Sequence, residues 1–298
     1  MLKQVEQARK DVVEALFAPS GRSGRGSNTF GRMWNSGWRA GVSDALGPNP
    51  KAAGLVRLGA KLSELFGSTG RGEGGRAQSV LSGAGAAWES LVAWYLNLCL
   101  LGSPAWVAKK RSHVPGPVRD ALSISYRGVD SNSESDLVAI TFGDGVARLA
   151  DPRAPLGEVV RDFFPDIAVA VIQCKTNWND NSQIPMLWSL LYDTLREASV
   201  EGVTMGRNGW SLQRFTYAFV TIPTNDPGRI TPQSIIARRV QNLSGGNYWG
   251  QATRQGVAKS LYEIFNCAPI GPRGGSLVNQ SFEAYAGAYG VPDYFGLG

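Results

Sequence analysis

An apolar run with the makings of an interior strand ends in two polar side chains: Val169-Ala-Val-Ile-Gln-Cys-Lys175. Side chains on a strand alternate faces, so Gln173 and Lys175 share one face and Cys174 points to the other. A strand that only fills a core has no need of that pair, so its end should meet a polar cleft. A second apolar strand, Leu137-Val-Ala-Ile140, follows Ser133-Glu-Ser-Asp136 and sets the Asp136 carboxylate at its mouth. Placed side by side, the two strands assemble an acid, an amide and an amine.

Apolar residues recurring every three or four positions predict helices over 3–17, 51–66, 78–101, 183–196, 232–243 and 252–266. Strands are predicted over 122–126, 137–142, 167–175 and 215–222, and the tail from Gly271 is expected to be irregular. The stretch Gly70-Arg-Gly-Glu-Gly-Gly75 fits GxGxxG in form but follows a helix rather than a strand, which excludes the dinucleotide-binding reading. The order helix, strands, helix, strand defines an α/β fold: a mixed central sheet flanked by helices, with additional N-terminal and C-terminal helical segments. Residues 1–77, 78–222 and 223–298 form the expected N-terminal, core and C-terminal parts of one compact unit.

With 298 residues, 43% of them hydrophobic, the chain can bury a full core. No run approaches the roughly 18 apolar residues of a membrane span, and Met1-Leu-Lys-Gln-Val-Glu-Gln7 carries no signal-peptide core, so a cytoplasmic location and no membrane partner are expected. Cys99, Cys174 and Cys267 lie far apart with no CxxC spacing, which argues against disulfides and zinc. A single histidine, His113, excludes multi-histidine metal sites and speaks against a Ser-His-Asp triad. Charge is segregated: residues 1–120 hold 16 basic against 8 acidic side chains, residues 121–210 hold 7 against 12, and the remainder 7 against 4. Basic flanks suit a polyanion, and an acidic centre suits a cation.

An acid at a strand mouth followed by Gln-x-Lys on the next strand resembles the PD-(D/E)XK nuclease superfamily, in the variant whose second acidic position is glutamine. Within it, the chain resembles type II restriction endonucleases. The likeness covers about residues 78–222 and implies a restriction-endonuclease-like core acting on double-stranded DNA. It further implies one or two Mg²⁺ ions per site, with Asp136 as the pivotal ligand and the Gln173 side-chain oxygen and the Cys174 carbonyl as further ligands. Lys175 would orient or activate the attacking water. A glutamate on the helix before the sheet, which Glu89 matches, would assist metal or water. Also implied are a homodimer, a separate cognate DNA methyltransferase and a prokaryotic cytoplasm. The alternatives are a junction-resolving or repair nuclease of the same superfamily, and a non-catalytic basic DNA-binding protein in which Asp136, Gln173 and Lys175 form a structural hydrogen-bonded trio.

A literal Pro-Asp occurs at Pro165-Asp166, but Asp166 lies seven residues before Gln173. That is about 23 Å along one strand and on the opposite face, too far to share an ion with it. Glu89 sits among apolar neighbours and should face a cation, a lysine or a polar cleft. In Thr176-Asn-Trp-Asn-Asp-Asn-Ser-Gln183, the amides of Asn177, Asn179, Asn181 and Gln183 are candidates for DNA contact, with turn formation and helix capping as the other reading. Arg22, Arg25 and Arg32, interleaved with glycines and with Phe30, Trp34 and Trp38, form a flexible basic segment expected to embrace the DNA backbone. Lys109, Lys110 and Arg111 are a second basic group.

Overall fold

A computed structural model describes residues 3–18, 29–70, 78–132, 135–176, 182–206, 212–222, 231, 233–249, 260–267 and 275–298. The N-terminal part is helical: α1 (Lys3–Phe17), α2 (Thr29–Met33), a π-helical turn (Trp34–Trp38), α3 (Arg39–Leu46), α4 (Ala52–Gly70) and α5 (Gln78–Cys99). The strands then begin, with β1 (Ala105–Ala108), α6 (Gly116–Ala121), β2 (Ser123–Tyr126), β3 (Val129–Asn132) and β4 (Leu137–Phe142). After α7 (Val146–Leu149) and α8 (Leu156–Asp162) come β5 (Ile167–Lys175), α9 (Gln183–Glu197), β6 (Val203–Met205) and β7 (Arg214–Thr221). The chain ends with α10 (Ile235–Val240), β8 (Asn247–Tyr248), α11 (Ile264–Cys267) and α12 (Gly275–Tyr289).

Five strands form the central sheet in the order β1-β4-β5-β7-β8, and β3-β2-β6 form a small second sheet. The first three strands of the central sheet pair antiparallel, while β5, β7 and β8 run parallel, so the sheet is mixed. Parallel neighbours need a crossover, and α9 lies within the segment that connects β5 to β7. Helices cover both faces, which is why the first eight residues of β5 are all buried. One face packs Ala170, Ile172 and Cys174 against Trp88, Leu91 and Tyr95 of α5, with Leu62 of α4 and Phe282 of α12 in the same core. The other packs Val169, Val171 and Tyr217 against Tyr192 of α9, Val160 of α8 and Val118 of α6.

The ends of the chain are tied to this core. Arg9, fully buried on α1, donates to the carbonyls of Leu100 at 2.8 Å, Ser103 at 3.2 Å and Ala105 at 2.6 Å, and pairs with Glu6. The buried guanidinium is tolerated because both terminal nitrogens are engaged and its charge is paired with Glu6, and the contacts fix how the chain enters β1. The Tyr294 hydroxyl donates to Glu6 at 2.5 Å, joining the C-terminal segment to α1.

Three expectations are corrected. The tail is not irregular: Gly275–Tyr289 is a helix that buries Val278 and Phe282. The segment from Thr29 is not a flexible loop, for residues 29–46 are helical and Phe30, Trp34 and Trp38 lie in the core rather than facing DNA. Phe30 stacks on Trp34, and the Trp38 indole donates to the Leu65 carbonyl at 2.8 Å. Finally, residues 123–126 are a strand of the small sheet and not of the central one.

Candidate active site

Because β1 is antiparallel to β4 and β4 to β5, while β5 and β7 are parallel, one edge of the sheet gathers the C-terminal ends of β1, β5 and β7 and the start of β4. Lys109, Asp136 and Lys175 all lie at that edge. The β4–β5 ladder ends at Leu137↔Ile172, and beyond it the Asp136 carboxylate takes over as backbone partner. Its Oδ2 accepts the Cys174 N–H at 2.7 Å. The same oxygen lies 3.8 Å from Lys175 Nζ, each side chain retaining about a quarter of its exposure, at 22% and 24%. The acid and the amine are therefore brought together, and a short charge-assisted bond to the backbone fixes the acid.

Gln173 has no exposed surface at all. Its Oε1 accepts a hydrogen bond from the Tyr217 hydroxyl at 3.1 Å, so the amide oxygen is oriented from β7, the parallel neighbour of β5. Cys174 points to the opposite face, as alternation requires, and is a buried free thiol. Burial pushes this thiol well above its ordinary value, Asp136 and Glu89 push it further, and Lys109 and Lys175 oppose them. A thiol held neutral is neither a nucleophile nor a soft metal ligand.

Glu89 meets a lysine: Lys109 Nζ lies 3.1 Å from its Oε2. Lys110 and Arg111 are exposed just beyond β1. Arg32 is exposed on α2, and Gln183 is exposed at the first position of α9. Asn177, Asn179, Asn181, Arg22 and Arg25 lie outside the described residues. Asp166 closes a 3-10 turn before β5, exposed, at the end of the strand opposite to Lys175. Two participants were missed by sequence reasoning. Local spacing marks Lys109 as one of a basic group and gives no signal for Tyr217; the partner of Lys109 on α5 and that of Tyr217 on β5 are set by how distant elements pack.

Among the described residues no group of three or more His, Cys, Asp or Glu gathers as a metal cage. No helix among the described residues is long and apolar enough to cross a membrane. The sequence matches no family model, and no curated protein matches it.

Proposed function

We propose that this chain is a Mg²⁺-dependent endonuclease of the type II restriction kind, hydrolysing phosphodiester bonds of double-stranded DNA as a homodimer beside a separate methyltransferase. The observation that carries the reading is the meeting of Asp136 with Lys175 at the edge where three strands end. Open α/β sheets place their ligands beyond the carboxyl ends of strands, so a polar pair there is where substrate is expected.

The groups that would hold a cation at this edge all offer oxygen, as a hard cation requires: the Asp136 and Glu89 carboxylates, the Gln173 amide oxygen and the Cys174 carbonyl. They are too few to form a cage. Magnesium is commonly held in just this way, by one or two carboxylates with waters and substrate phosphates completing the shell. When bound, the ion supplies charge relief at the scissile phosphate and a water that deprotonates more readily. The remaining roles fall to the chain. The Cys174 N–H holds Asp136 in one orientation, Tyr217 does the same for Gln173, and Lys175 donates to the attacking water or to a phosphate oxygen. Exposed Lys110 and Arg111 neutralise backbone phosphates beside the site.

One observation favours the second reading, a DNA-binding protein without catalysis: Gln173 is sealed from solvent and engaged by Tyr217, as a purely structural amide would be. Incubation of supercoiled plasmid with Mg²⁺ separates the two. Cleavage by the wild type and none by Asp136→Asn supports the enzyme, with discrete bands marking sequence specificity and a smear marking a repair-type nuclease. A folded protein that binds plasmid and leaves it intact with Mg²⁺ establishes the non-catalytic reading.

A further inference from the structure

Lys109 is held by a single turn of α5. Its Nζ lies 2.9 Å from the Ala86 carbonyl, 3.1 Å from Glu89 Oε2 and 3.0 Å from Ser90 Oγ. An ammonium has three hydrogens, and these contacts use all of them. Asp136 faces Lys175 in a second pair at the same edge, and the charges of both pairs reach the Cys174 thiol. The edge is thus self-neutralised: two carboxylates, each facing its own lysine.

A divalent cation that takes Glu89 Oε2 must displace an ammonium of like charge, and one at Oε1 meets its repulsion at close range, whereas a phosphate offers Lys109 an anion in place of Glu89. The side chains of Lys109 and Glu89 keep 16% and 27% of their exposure, so a polyanion can reach them. Lys110 and Arg111, next along the chain and exposed, draw phosphates to that spot. The exchange leaves every charge paired, with Lys109 on phosphate and Glu89 on the cation. We propose that Lys109 is a counter-ion latch on Glu89 that DNA phosphate releases, so that cation binding at Glu89 and DNA binding reinforce one another. The inference rests on the endonuclease reading above and adds to it the order of assembly. Linkage makes the coupling reciprocal: the cation must tighten DNA by the factor by which DNA tightens the cation.

The test measures Mn²⁺ binding from the loss of its free paramagnetic resonance signal, with and without a mixed-sequence duplex and with DNA alone subtracted. For the wild type, DNA should tighten Mn²⁺ on the order of tenfold. Lys109→Met should bind Mn²⁺ without DNA about as tightly as with it, and Lys109→Arg should restore the dependence on DNA. Glu89→Gln keeps a side-chain oxygen beside Lys109 but removes the carboxylate, leaving the ammonium with the neutral Ala86 carbonyl and Ser90 hydroxyl. It should bind DNA several-fold more tightly in the absence of cation, because Lys109 is no longer claimed by a carboxylate, and its Mn²⁺ response to DNA should be flat. Wild-type Mn²⁺ binding with an undiminished dependence on DNA in Lys109→Met, or unchanged cation-free DNA binding in Glu89→Gln, overturns the latch and leaves the endonuclease reading standing. No Mn²⁺ binding by the wild type beyond DNA alone overturns both.

Discussion

The Asp136 carboxylate accepts the Cys174 amide at 2.7 Å while standing 3.8 Å from the Lys175 ammonium, so one side chain both ends the β4–β5 ladder and faces the amine of the next strand. Its structural and chemical roles can be separated. Asp136→Ala should abolish cleavage and also destabilise the fold by about 1–3 kcal/mol, because the Cys174 N–H loses its acceptor. Asp136→Asn retains a carbonyl acceptor and should lose cleavage at much smaller cost in stability. Urea denaturation beside the plasmid assay checks both, and full cleavage by the Asn variant would remove the charge from the mechanism. Asp166→Ala, exposed and at the far end of β5, should cut normally.

Lys175→Ala should eliminate cleavage while leaving DNA binding largely intact, since the lysine faces Asp136 at the strand end rather than the outer surface. Mobility shift and plasmid digestion together decide this. Near wild-type cleavage by the variant would exclude Lys175 from the chemistry.

Gln173→Glu restores a carboxylate at the position that resembles the second acid, and it should lower the Mg²⁺ concentration needed for half-maximal cleavage. The site is fully buried, so the new carboxyl should resist ionisation in the absence of cation and reduce stability there. A requirement for clearly more Mg²⁺ than the wild type would show that Gln173 is no ligand.

Replacing exposed Lys110 and Arg111 together by alanine should flatten the slope of log affinity against log salt by up to about 1.8, at about 0.9 per phosphate contact. Cognate and noncognate DNA should weaken alike. The Arg22, Arg25 and Arg32 triple alanine variant, with three charges, should flatten it by up to about 2.7. An unchanged slope in either variant excludes that group from the backbone contact.

His113 has its pKa lowered, first by burial and then by Lys110, with Asp11 opposing. A histidine depressed in the folded state binds its proton more readily when unfolded, so stability rises with pH across the interval between the two values. The contribution is complete above the ordinary value of 6.5 and is lost as pH falls below it toward the folded value. His113→Gln should therefore lose less melting temperature than the wild type between about pH 7 and pH 5.5. Identical pH profiles would show that the imidazole is not discriminated against in the fold.

The strands that carry the site are legible in the sequence because buried β5 and β4 are continuous apolar runs, and because alternation alone puts Gln173 and Lys175 on one face and Cys174 on the other. The early helices α1, α4 and α5 are legible for the corresponding reason, an apolar residue every three or four positions. The β2–β3 hairpin is not, because its turn uses Arg127 at φ 49° with Gly128 at φ 82° in place of the usual Asn-Gly. Nor is the helical character of residues 29–46, where glycines mask a segment that Trp34 and Trp38 anchor by burial. Local pattern thus determined which chemical groups stand at the ends of which strands. Tertiary structure alone decided their partners: Lys109 on Glu89, Tyr217 on Gln173 and the Cys174 amide on Asp136. Such pairings are set by sheet order and helix placement, and these depend on how apolar faces from distant parts of the chain pack together, which no local period records.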